Sequence, residues 1–156
     1  MPAEIQTSRP RNREVRSVLT LEAPLDVVWR AFTDAGTVAR WWGRGHDVTV
    51  ERFEPTPGGH WRFVEHAPEG DYGFEGRFAE VEKPGRIVQT FEYDGTPGHV
   101  SLTTVAFEAV DQARTRVIET TLFMTAEDAE AMLAEGMLQG MAESYAALER
   151  VLASMR

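Results

Sequence analysis

The sequence predicts an α+β domain, and three observations predict it. Residues from Asp47 to Phe123 alternate with a period of two between recurrent turn signals. Two short amphipathic helical patterns precede this stretch, and one long helical pattern follows it. Glu14–Glu22 opens the domain as a strand, with Val15, Ser17, Leu19 and Leu21 on one face. Pro24 suits the first turn of a helix, where its missing N–H costs nothing. Leu25, Val28, Trp29 and Phe32 follow at i, i+3, i+4 and i+7. Val38, Trp41 and Trp42 repeat the first three of those spacings, and Gly43 closes the second helix.

Six strands are then expected: Asp47–Phe53, Gly59–His66, Tyr72–Val81, Arg86–Tyr93, His99–Phe107 and Thr115–Phe123. The connections are short and rich in Pro, Gly and Asp, such as Pro55-Thr-Pro-Gly-Gly59 and Lys83-Pro-Gly85, so successive strands are antiparallel neighbours. Thr125-x-x-Asp128 reads as a capping box. From it, apolar and small residues hold helical spacing as far as Leu152, a single helix of about 26 residues and roughly 39 Å. Such a helix buries its stripe only by crossing a large sheet. Residues 1–12 show no periodicity and read as a flexible tail, which leaves 13–156 as one domain.

Composition narrows the function. The net charge of −9 repels phosphate backbones and anionic membranes, so neither nucleic acid nor a membrane is an expected partner. The absence of cysteine removes thiolate catalysis, disulfides and Cys-based zinc sites. No apolar run approaches the roughly 20 residues that span a bilayer, and the N-terminus lacks a secretory apolar core. A cytoplasmic protein is expected, monomeric or homodimeric. Gly43-x-Gly45 follows a helix rather than a strand, and its third glycine position is Val48, so it is a turn and not a dinucleotide fingerprint. The four histidines show no metal-ligand spacing, and there is no P-loop or G-x-S-x-G elbow. No metal or cofactor is expected.

Several segments in fixed order resemble a known family. They are Val28-Trp-Arg-Ala-Phe-Thr-Asp34 leading to Arg40-Trp-Trp-Gly43, then Pro57-Gly-Gly-His-Trp-Arg-Phe63 and Gly76-x-Phe78-x-Glu80-Val81. Pro84-x-Arg86-Ile-Val-x-Thr90-Phe91 and Glu135-Gly136-Met137 complete the set. The chain resembles the helix-grip (START-like, SRPBCC) superfamily, and within it the family named after the activator of the heat-shock protein 90 ATPase. The resemblance implies a curved antiparallel sheet of about seven strands wrapped around a long C-terminal helix, with two short helices between the first two strands. It also implies a cavity between sheet and helix that often holds a hydrophobic small molecule. Two positions depart from the family pattern: Ala35 stands where Pro is frequent, and Met137 where Trp is frequent.

The candidate ligand-binding residues follow from this arrangement. Neighbours on a helix point about 100° apart, so one of Trp41 and Trp42 is expected in the core and the other at the cavity wall. Trp61, Phe63 and Glu65 share one strand face, Phe74 and Phe78 share another, and Phe91 belongs to a third. Met137 and Met141 offer an adaptable lining, while Gly136 and Gly140 on the helix stripe leave either a close approach or room for a ligand. Glu65 is the polar candidate and a weak catalytic one, since a dry, unpaired carboxylate beside two aromatic rings would be costly. The leading expectation is non-catalytic binding of a small hydrophobic or aromatic molecule. Two alternatives stand beside it: a chaperone-binding module, of which the resemblance covers only the C-terminal part of the larger activators, and a cyclase- or hydrolase-like enzyme using the same cavity.

Overall fold

The computed structural model describes residues 4–155. The strands are β1 (Gln6–Ser8), β2 (Glu14–Leu21), β3 (Asp47–Phe53), β4 (His60–Ala67), β5 (Gly70–Glu82), β6 (Arg86–Tyr93), β7 (Ser101–Ala109) and β8 (Thr115–Leu122). They form one antiparallel sheet in the order β1-β2-β8-β7-β6-β5-β4-β3. Two helices, α1 (Leu25–Thr33) and α2 (Ala35–Trp41), carry the chain from β2 to the far edge at β3. The meander β3 to β8 then returns strand by strand, until β8 closes against β2 with Ser17 opposite Glu119. Register shifts at Val50/Arg52 and at Phe78/Glu80 mark β-bulges, which bend and twist the strands that carry them.

The fold predicted from sequence is the fold observed, with two differences of detail. Gln6–Ser8, inside the segment expected to be a tail, pairs with β2 as an eighth strand. A three-residue strand with every side chain exposed has no apolar face for periodicity to reveal. Residues 1–3 of that segment lie outside the described residues.

The second difference is a correction. The single C-terminal helix is two, α3 (Ala126–Ala134) and α4 (Met137–Met155). Thr125 caps α3 as expected, its hydroxyl accepting the Asp128 N–H at 3.0 Å. The break falls at Gly136, whose φ of +93° belongs to the left-handed region that ends helices. Gly136 is therefore exposed rather than on a buried stripe. The break lets each helix bury its own face. Ala129 of α3 packs with Val15 and Phe123, whereas Tyr145, Leu148, Val151 and Leu152 of α4 join the main core.

That core lies between the concave face of the sheet and the helices α1, α2 and α4. Trp61 sits at its centre, 1% exposed, with its indole N–H donated to the Thr90 carbonyl at 3.1 Å. Gly76 on the neighbouring strand makes this possible, because a Cβ there would run into both the Thr90 carbonyl and the indole. Among the described residues no helix is long and apolar enough to cross a membrane.

Candidate functional site

The concave face and the helices enclose a cavity of about 570 Å³. Its shape begins with the way α2 ends. Trp41 is the last helical residue, but Trp42 adopts extended backbone (φ −66°, ψ 145°), so the two rings diverge. Trp41 is buried, stacked 6.2 Å from Tyr145, with its indole N–H donated to the Ala31 carbonyl at 2.9 Å. Trp42 turns toward the sheet and meets Trp61, Phe63 and Phe74 edge-to-face at 6.0, 5.0 and 5.1 Å. Such pairs add about 0.5–1.5 kcal/mol each beyond area burial and hold the rings in place. Phe91 extends this aromatic wall, 5.4 Å from Phe74.

At the exposed end, the loop after α2 is wound through three consecutive left-handed residues, Gly43, Arg44 and Gly45, with φ of 91°, 61° and 83°. The strain at Arg44, the one non-glycine with positive φ among the described residues, is held by two anchors. Its backbone N–H donates to Ser144 Oγ on α4 at 2.9 Å, and its guanidinium donates to Glu65 Oε2 on β4, with Nε at 2.9 Å. His46 Nδ1 meets the same carboxylate oxygen at 2.6 Å. Glu65, only 3% exposed, is thus a buried carboxylate held by a guanidinium and an imidazole through its Oε2. The guanidinium also lies 5.9 Å from the Tyr72 ring centre, and its methylenes cover Gly140, where a Cβ would come within 3.2 Å of Arg44 Cδ.

Deeper in, β8 turns Val117, Glu119 and Thr121 toward the cavity side of the sheet. Tyr145 of α4 donates its hydroxyl to Glu119. Burial pushes the Glu119 carboxyl up to about 7, although the tyrosine hydrogen bond pulls the other way. Burial, together with the neighbouring carboxylate, raises Tyr145 well above the ordinary phenol range. Gln89, Thr103 and Thr121 lie in register across β6, β7 and β8, forming a polar band on an otherwise aromatic and aliphatic wall.

Of the residues singled out from sequence, Trp41, Trp42, Trp61, Phe63, Glu65, Phe74, Phe91, Met137, Gly140 and Met141 line the cavity. Phe78 does not. It is buried in the core, 5.8 Å from Phe53. Sequence reasoning missed Arg44, His46, Glu119 and Tyr145. The signal for Glu119 was present: alternation along Thr115–Phe123 places it between Val117 and Thr121 on the inner face, by the same argument that found Glu65. Arg44 had no such signal, because its placement depends on the loop's left-handed path. Among the described residues no three His, Asp or Glu side chains converge as a metal site would require.

Residues 22–153 match the model of the Activator of Hsp90 ATPase homolog 1-like protein family. The chain belongs to this family. Comparison with curated proteins finds no match. Among solved structures, a Rhodobacter sphaeroides protein is 28% identical, with 98% of this chain and 100% of that one covered and a TM-score of 0.88. An Arthrobacter aurescens protein, 24% identical, also has a TM-score of 0.88, over 96% of this chain and 91% of its own. Protein Ms6760 from Mycobacterium smegmatis, 19% identical, has a TM-score of 0.85 over 97% of both chains. The latter two share the fold of this Hsp90 ATPase activator-like domain.

Proposed function

We propose that this protein binds a small hydrophobic or aromatic molecule in the cavity between the sheet and α4. The cavity carries the proposal. A space of about 570 Å³, walled by Trp42, Phe74 and Phe91 and floored by a narrow polar band, has the size and character of a small-molecule site. Apolar burial at about 25 cal/mol per Å² supplies affinity, and the polar band fixes orientation. Met137 and Met141 supply the deformable wall. Glu65 enters as the anchor of the Arg44 loop rather than as a base, since Arg44 and His46 both engage its Oε2.

Calorimetric titration with 2-naphthylmethanol tests the proposal. G140L places a branched side chain where Arg44 and the cavity meet, and W42A removes a wall. Each is expected to weaken binding about 10-fold or more. Wild-type affinity in both folded variants would reject the cavity as the site.

A further inference from the structure

Four carboxylates line the cavity, Glu65, Glu69, Glu119 and Glu135, against one cationic side chain among the described lining residues, Arg44. That cation is already committed, because both its Nε and its Nη2 donate to Glu65. Glu69 and Glu135 are exposed, at the cavity's outer end, whereas Glu119 lies inside it. The inner carboxylate is matched by Tyr145 but by no cation among the described residues. Directly across the β2–β8 ladder stands Ser17. Ser17 is 0% exposed, and its Oγ has no hydrogen-bond partner among the described residues. Cross-strand neighbours hold their Cβ atoms about 4.5–5.5 Å apart, yet this hydroxyl does not pair with Glu119 and lies outside the cavity lining, so the carboxylate receives no donor from β2.

We infer that the cavity selects an amine: a flat apolar body carrying a protonated nitrogen, its ammonium seated at Glu119 with the ring system against Trp42, Phe74 and Phe91. The inference rests on the small-molecule reading above and adds the polarity of the ligand. An ammonium supplies several N–H donors and no acceptor, which complements a cavity-lining carboxylate. The faces of the surrounding aromatic rings attract a cation, and more strongly when it is desolvated. A carboxylate ligand would meet the opposite conditions, with no uncommitted cation among the described lining residues. The overall charge of −9 draws cations toward the mouth and repels anions.

Three probes with the same naphthalene body separate these terms: 2-naphthylmethylamine, 2-naphthylmethanol and 2-naphthoic acid, titrated calorimetrically at about pH 8. The amine is expected to bind about 10-fold tighter than the alcohol, with the acid weakest. In E119Q the amine should fall to within about twofold of the alcohol measured on the same variant. In E127Q, on the exposed face of α3, the preference should persist, which separates Glu119 from general surface attraction. Acid binding as tight as the amine, or an amine preference that survives in E119Q, would overturn the inference. Alcohol binding without amine preference would overturn it too, while leaving the small-molecule reading intact. Failure of all three probes to bind would reject both.

Discussion

Replacing Glu119 by Gln is expected to stabilise the protein at about pH 8 and above, and to change it little near pH 4. The folded-state carboxyl titrates at about 7, against an ordinary 4.5, because burial disfavours its charged form. Tyr145 on α4 is the titratable group that bears on it. Below the ordinary value both folded and unfolded chains hold the proton, and the residue costs nothing. As pH rises from there, the unfolded chain releases the proton first, so stability falls until the folded carboxyl has also ionised. Above about pH 7 the whole cost is present. At 1.36 kcal/mol for each pH interval of one, the shift is worth up to about 3 kcal/mol, and cavity solvent reduces it to about 1–3. Glutamine keeps the acceptor for Tyr145 and removes the charge. Urea unfolding of both proteins at the two pH values measures this directly, and an equal effect at both would contradict the placement of Glu119.

The second large effect concerns the opposite end of the cavity. R44A is expected to destabilise the protein by about 2–4 kcal/mol, because it leaves Glu65 buried with His46 alone. The loss is greater than that of an ordinary surface ion pair, since the carboxylate is 3% exposed even though the guanidinium is 33% exposed. R44A/E65Q should recover about half of it, because a neutral amide costs less to leave partly unpaired. Unfolding free energies of the wild type, both single variants and the double variant close this cycle. An R44A protein as stable as wild type would show that the loop is held by Ser144 and its glycines instead.

These two effects also mark where the sequence could be read and where it could not. The strands from β3 to β8 and helices α1 and α2 were legible, because half-buried strands and amphipathic helices write their exposure directly into periodicity. The divergence of Trp41 and Trp42 was legible as a constraint, but its cause is the extended backbone at Trp42 rather than helical spacing. Gly136 was misplaced because a glycine on a helical stripe and a glycine ending a helix look alike when helical spacing continues on both sides. The aromatic wall was legible from strand faces, with Phe78 the exception. A strand face says which residues look inward, and not which of them meet other side chains and which meet open space. Glu65 was found but its partners were not, for Arg44 and His46 reach it from a loop 19 to 21 residues away in sequence.

A ligand that enters between the sheet and α4 is reported most directly by the methionines. Met137 and Met141 line the cavity, whereas Met124 is exposed and Met155 lies elsewhere in the core. Methyl NMR spectra of methionine-labelled protein, recorded during titration with 2-naphthylmethanol, should show shifts and ligand contacts at Met137 and Met141, with Met124 and Met155 silent. Perturbation at Met124 with Met137 and Met141 unmoved would place the ligand on the outer surface and contradict the account.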